Sequence, residues 1–540
     1  MSRTHRRSIV TFLLASSLWV LGCGSGSSGP ASGAGVASTA PGSDAKPIPG
    51  GTVRIGFQKE PTTFLEWFAA TSVDMMAADL VFRRLAQPGP APGSFVPDLA
   101  SSWETPPDGR SLRFHLRSGV TWEDGREVTS ADVAFSFERA LSYGSLQKQQ
   151  ERLEVQGDRD VVFHFRSPYP EMLADAAGMH VYPKHILESV PPDALRNHAF
   201  HTKPLGSGPF RLERWEPGQY LSFVPRTRPG GAAESEGPFL ERLVVKIFPD
   251  KAAAVRELEA GGLDILRKVS PDTADRLEAT GRFRVVRTPS REYLHVLWKT
   301  QRWPFSLPEV RRAMAAAIDR RGIASRFEGT DARVAEGPVP FDHGWYDPSL
   351  SSPRFDLGLA AQELTAAGLH RSPEGRWAAS DGKPIRFELL IDASLPIHHE
   401  VGALVADSLR RLGIEVNLRE VEDTLELIKA KDFDAVLLSQ GAASPTLRED
   451  FGTDGATNRS GFSDAALDRL LDASEQESDP SRARAAFEAA ARRVVELQPR
   501  TFLFYRSDTN VFSRRLRGIE ANPRDQIAAA EFLWIAPGDR

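Results

Sequence analysis

The sequence predicts an α/β protein of at least two lobes with a separate antiparallel, β-rich part. Three observations lead there. The chain has 540 residues, more than one hydrophobic core organises. From Leu243 onward, short apolar strands alternate with helix-period stripes, the pattern of βαβ units. Between Leu112 and Phe165, period-two alternation is instead broken by turn dipeptides, which reads as hairpins.

The folded part begins with a short strand at Gly51–Gly56. Leu112, Phe114 and Leu116 alternate with polar partners after the turn Asp108-Gly109, and Val120 and Trp122 are expected to continue that strand to the turn Asp124-Gly125. Thr129 is placed to cap a helix, with Asp132 three residues on and Val133, Phe137, Ala140 and Leu141 as its apolar stripe. A hairpin follows, Leu153–Val155 with Val161–Phe165 around Gly157-Asp158. Further on, Leu243–Phe248 reads as a strand and Ala252–Ala260 as a helix stopped by Gly261-Gly262. Ser306-x-x-Glu309 has the form of a capping box before a helix striped by Val310, Ala313, Met314, Ala317 and Ile318. The clearest unit is strand Ile385–Ile391, a helix striped by Val401, Leu404, Val405, Leu409 and Leu412, a stop at Gly413, and strand Ile414–Leu418. Phe433–Leu438 adds a buried strand.

The N-terminus reads as an address. Arg3, Arg6 and Arg7 precede an apolar run, Ile9–Leu21, and then Val20-Leu21-Gly22-Cys23. This is the pattern of a bacterial lipoprotein signal, and the run is shorter than the ~20 residues that span a bilayer. Arg6-Arg7 leaves twin-arginine export open beside the general route. Cys23 is the only cysteine, so no intrachain disulfide and no cysteine-built zinc site can form. From Gly24 to Gly50 the chain is almost all Gly, Ser, Ala and Pro, a flexible tether. The formal charge is −5; without the three leader arginines it is −8, from 64 basic against 72 acidic residues. That balance argues against nucleic acid as the partner.

An ordered series of motifs in the body resembles one known family. Pro97-Asp98-Leu99-Ala100-Ser101-Ser102-Trp103-Glu104, Phe114-x-Leu116-Arg117-x-Gly119-Val120-x-Trp122-x-Asp124-Gly125 and Thr129-x-x-Asp132-Val133 follow one another. Then come Pro204-Leu205-Gly206-Ser207-Gly208-Pro209-Phe210, Trp215-x-Pro217-Gly218, Pro304-Phe305, Val310-Arg311-x-Ala313, Ala317-Ile318-Asp319-Arg320, Leu412-Gly413-Ile414-x-Val416 and Phe433-Asp434. Together they resemble family 5 of the solute-binding proteins of ABC importers, the oligopeptide-, dipeptide- and nickel-binding proteins. The resemblance implies a two-lobed periplasmic-binding-protein-like α/β fold of the large class, with an extra β-rich domain inserted in the first lobe. By motif order the chain divides into a signal peptide (1–22), a tether (23–50), first-lobe segments (51–83, 197–290 and 501–540), the inserted domain (84–196) and the second lobe (291–500). Gly206–Pro209 is expected to let a strand cross closely between the lobes.

The implied function is capture of a peptide-like or other small polar solute between closing lobes and its delivery to ABC transporter permease subunits. The expected protein is a monomer in the periplasm or at the cell surface, lipid-anchored through Cys23, without cofactor or metal and without catalytic residues. Presentation of the solute to a sensor, or a secreted hydrolase, are the alternatives. By the resemblance, the first-lobe contacts fall at Glu60, Thr62, Thr63 and Phe64. The second-lobe contacts fall at Trp298 and at Ser439, Gln440, Gly441, Ala442 and Ala443. Peptide-binding members carry "G-W-x-x-D" in that last stretch, its Asp taking the ligand's amino group. Here Gln440 stands at the tryptophan position and Ala443 at the aspartate position, and Trp298-Lys299 stands near a missing asparagine. Solutes that depend on a free α-amino group are therefore not expected, unless another acid such as Glu60 substitutes. Trp103 and Trp215 read as core anchors. His398-His399-Glu400 lacks the i, i+4 spacing that lets two ligands share a metal, and reads as a solvated helix start. Asp450 and Asp454 lack calcium-loop spacing, and Gly206-Ser207-Gly208 lacks the flanks of a nucleophile elbow. Cys23→Ser is expected to leave the membrane fraction and appear in the soluble one; retention of that variant on membranes through a high-salt wash refutes the anchor.

Overall fold

The computed structural model describes residues 47–540 except 70, 90–93, 107–108, 144–149, 170, 227–236, 330–331, 423, 442–446, 478 and 520–527. The leader, Cys23 and the tether as far as residue 46 therefore lie outside the described residues, as do Asp108, Ala442 and Ala443.

One extended sheet runs through both lobes. In spatial order its strands are Glu415–Val421, Arg386–Asp392, Ala435–Gly441, Phe283–Trp298, Arg500–Ser513, Ile265–Leu266, Thr52–Phe57, Arg242–Ile247, Tyr220–Pro225 and Phe210–Glu216, with Arg333–Val334 paired beside Arg500–Ser513. Two of these strands belong to both lobes. Phe283–Trp298 pairs antiparallel with Arg500–Ser513 from Phe283↔Ser513 to Pro289↔Ser507, and again from Tyr293↔Tyr505 to Leu297↔Arg500. Between Pro289 and Tyr293 the register shifts. Pro289 has no N–H to give the ladder, so an irregularity at this point is what its chemistry dictates. On one side of the break the pair meets first-lobe strand Ile265–Leu266, and on the other it meets second-lobe strand Ala435–Gly441.

The second lobe is built as the periodicity predicts. Arg386–Asp392 and Glu415–Val421 pair in parallel across helix Pro396–Leu412, which Gly413 ends at φ +99°. Helix Pro308–Ala317 is buried along its length, between the sheet and helix Leu357–Ala366. The expected capping box Ser306/Glu309 is not formed. Pro308 starts this helix with its preset φ, Leu307 becomes the N-cap without a side-chain bond, and Glu309 pairs instead with Arg312.

The β-rich part is a four-stranded antiparallel sheet, Ala100–Glu104, Ser111–Leu116, Asp160–Phe165 and Gln150–Gln156, covered by helix Ser130–Ser142. Thr129 N–H donates to Asp132 Oδ2 (2.9 Å), so this expected capping box is present. Leu141 is exposed, contrary to the expected stripe: it sits roughly 80° round from Val133 in the final turn, while Phe135 and Ser136 take the buried places. Val120 and Trp122 do not extend Ser111–Leu116. They lead into a narrow turn closed by the Thr121↔Glu127 bridge, and Trp122 is buried. The β-rich sheet and the first lobe share one continuous hydrophobic core, in which Trp67, Phe82 and Tyr182 pack ring against ring.

Gly206–Pro209 does not cross between lobes; that is done by Phe283–Trp298 and Arg500–Ser513. It is nonetheless a close passage. Gly208 N–H donates to Val81 O (2.7 Å) at the end of helix Ser72–Val81, and a Cβ on Gly208 would stand 2.4 Å from the Val81 carbonyl carbon. Because the obstacle is backbone, Gly208→Ala is expected to cost about 2–3 kcal/mol in denaturant unfolding. Gly218→Ala, at φ +71° with open space around it, is expected to lose only about 1 kcal/mol.

Candidate functional site

A cavity of about 260 Å³ opens on one face of the second-lobe sheet. Strand alternation decides which side chains reach it. Leu294, Val296, Trp298 and Leu437 point to the helix-covered core, whereas His295, Leu297, Leu438 and Gln440 belong to the other face. Arg500 joins them through the register Leu297↔Arg500, and the segment after Ala435–Gly441 brings Asp450, Thr457 and Arg459.

Arg500 organises this face. It is 3% exposed; Nη1 donates to Gln440 Oε1 and lies 3.5 Å from Asp450 Oδ2, and its guanidinium covers the Phe451 ring at 4.4 Å. Gln440 Nε2 in turn donates to Asp450 Oδ2 (2.7 Å), and Thr457 Oγ1 donates to Asp450 Oδ1 (2.7 Å). Both carboxylate oxygens are thus engaged within the protein. His295 is buried, and its Nδ1 has no hydrogen-bond partner, like Arg500 Nε. Burial first, then the charges of Arg500 and Arg459 and the neighbouring His398, hold His295 well below the ordinary histidine value, so it is neutral.

The expected contact residues divide. Ser439, Gln440 and Gly441 line the cavity. Trp298 is fully buried, stacks on Phe305 at 4.8 Å and gives its Nε1–H to Thr501 Oγ1 (3.0 Å), so it is a core residue. Lys299 lies over Phe433 and outside the cavity lining. In the first lobe, Phe64 packs edge-on against Trp215 and Phe223, and Thr63 Oγ1 donates to His201 Nδ1 (2.6 Å). Thr62 is exposed, with its N–H and hydroxyl on Asp74 Oδ1. Glu60 Oε2 accepts from Trp215 Nε1 and from Gly218 N–H, both at 3.0 Å. His398 is no solvated helix start: it is 2% exposed and its Nε2 meets Ser439 Oγ at 3.0 Å, because its position on Pro396–Leu412 faces the sheet. His399 is exposed and pairs with Glu420. Among the described residues no group of three or more His, Cys, Asp or Glu is placed to hold a metal ion, and no helix is long and apolar enough to cross a membrane.

His295, Thr457, Arg459 and Arg500 are cavity residues that the sequence did not single out, and Asp450 was weighed there only as a calcium ligand. His295 carried a usable signal, as a polar residue inside the apolar alternation Leu294–Trp298. Arg500 did too, standing directly before the apolar run Thr501–Tyr505.

Comparison with known proteins fits this architecture. Residues 94–461 match the family described as bacterial extracellular solute-binding proteins, family 5. The chain belongs to this family. Family members are binding proteins of ABC importers, which is the solute-binding role of this chain too. It is 26% identical over 526 residues to the oligopeptide-binding protein AppA of Bacillus subtilis, covering 92% of this chain and 94% of that one. It is 24% identical over 506 residues to a dipeptide-binding protein of Pseudomonas aeruginosa (87% and 91%). AppA of B. subtilis, solved with a nonapeptide, superposes with a TM-score of 0.70 at 25% identity over 91% of this chain and 100% of that one. NikZ of Campylobacter jejuni, solved with Ni(L-His), shares the fold with a TM-score of 0.69 at 22% identity (87% and 96%).

The buried His295 makes the family 5 chain acid-sensitive in a defined direction. The unfolded chain takes up the proton near 6.5 and the folded chain only far below, so the stability His295 contributes is complete above 6.5 and falls as pH drops. His295→Gln is expected to flatten the loss of unfolding free energy between pH 6.5 and 4.5 by up to about 1.4 kcal/mol per pH unit, measured by urea titration at each pH.

Proposed function

We propose that this chain captures a peptide-like or other small polar solute between its two lobes and hands it to the permease subunits of an ABC importer. In this reading, lipid on Cys23 and the tether hold it to a membrane outside the cytoplasm, as a monomer. The observation that carries the reading is the cavity on the second-lobe sheet. It is polar, has two buried side-chain nitrogens without internal partners, Arg500 Nε and His295 Nδ1, and lies beside the two strands that join the lobes. Ser439, Gln440 and Gly441 meet the solute there, and the register break at Pro289–Tyr293 is where the lobes swing relative to each other.

The solute does not depend on a free α-amino group. The acid that lines the cavity, Asp450, already accepts from Gln440 and Thr457 and faces Arg500. Glu60 Oε2 is engaged by Trp215 and Gly218. Uncompensated burial of an ammonium costs ~2–5 kcal/mol, too much for a scavenging receptor. The solute is released unchanged. Native mass spectrometry of gently purified chain identifies a retained solute; adding it back to stripped protein is expected to shrink the radius of gyration in small-angle scattering and raise the melting temperature. An unchanged radius at saturation overturns the two-lobe capture.

A further inference from the structure

We infer that the second-lobe cavity receives an oxyanion of the solute, a carboxylate or a phosphate, and that Arg459 is the residue that selects for it. The inference rests on the solute-binding reading above and adds the charge of the group bound.

The charges at the cavity do not balance. Two guanidiniums, Arg459 and Arg500, line it with one carboxylate, Asp450, and His295 is neutral. The carboxylate is occupied on both oxygens, so it offers a ligand cation little, while an incoming ammonium would face two like charges at close range. Gln440 does not alter this, since its Oε1 is turned to Arg500 and its Nε2 to Asp450.

Arg459 stands apart from the arginines around it. Arg448, on the same segment, pairs with Asp472 and Glu475, and Arg493 pairs with Asp464. Arg459 is exposed, and its guanidinium has no acid or hydrogen-bond acceptor among the described residues. A free surface arginine is ordinary by itself; this one borders a cavity with two further unpaired nitrogens, Arg500 Nε and His295 Nδ1, both on residues less than 4% exposed. Buried polar atoms of this kind are normally matched. An oxyanion brings acceptors only, which is what a donor-rich, net positive lining recognises, and the planar guanidinium fits it bidentately. The volume of 260 Å³ suits one terminal group of a solute and not a whole peptide.

The test uses the full chain in detergent and small probes matched in size but not in charge: succinate and inorganic phosphate, neutral succinamide, and cationic 1,4-diaminobutane. Thermal shift and calorimetry are expected to register one or both anions and neither of the others. Arg459→Gln is expected to weaken anion binding about tenfold or more, with Arg459→Lys recovering part of it. Because Arg459 is exposed and unpaired, both variants should melt as the parent does without probe, which separates lost binding from lost fold. Phosphate alone, or succinate alone, tells which oxyanion is bound. Preference for the diamine or the amide, anion binding undiminished in Arg459→Gln, or no anion binding overturns the inference. A neutral or cationic solute retained in native mass spectra would in that case leave the solute-binding reading standing; no retained solute and no probe binding would remove both.

Discussion

The molecule hangs on the pairing of Phe283–Trp298 with Arg500–Ser513. Each strand has one end in each lobe, and their partners are separated by about the length of the whole second lobe: Trp298 Nε1 reaches Thr501 Oγ1 across 203 residues of sequence. Closing so long a loop has an entropic cost, which the ladder offsets with bonds on both sides of the break at Pro289. Every other strand of the large sheet is added outward from this pair, so its register sets both lobes and the cavity between neighbouring strands.

That register also explains why the cavity is polar in an otherwise apolar sheet. The helix-covered face takes Leu294, Val296, Trp298 and Leu503, and the core there is closed. On the opposite face, helices cover only the flanks, in one cluster around Phe502 and Phe451 and another around Leu297 and Phe433. Between them Arg500, Gln440 and Asp450 form a bonded chain, so a charge that would be costly alone is held by partners. The scaffold is shared across the family, while the chemistry of this gap belongs to the residues at hand.

A second contact ties the β-rich part to the other lobe. Glu171 Oε1 and His343 Nε2 are 2.6 Å apart, both residues largely buried, with the imidazole stacked on Phe487 at 9°. The β-rich part therefore touches both lobes, sharing its core with one and this polar contact with the other.

Much of the fold was legible because it is local. Helix period, Gly413 at a left-handed C-cap, Thr129 with Asp132, and the Gly157 hairpin turn are settled by a few neighbouring residues, and they stand where expected. Misjudgements came where a nearby residue or a packing partner prevails: Pro308 displaces the Ser306 cap, and Leu141 falls past the edge of the buried arc. The site was only half legible. Ser439, Gln440 and Gly441 line the cavity because they continue a recognisable strand, but Trp298 lies on the core side of the same sheet, one residue out of step with Leu297 and His295. Composition and short-range pattern thus determined that this chain forms lobes of α/β build and where its strands run. Which side chains share one cavity was decided by strand register between segments far apart in sequence, since a shift of one residue moves every side chain to the opposite face.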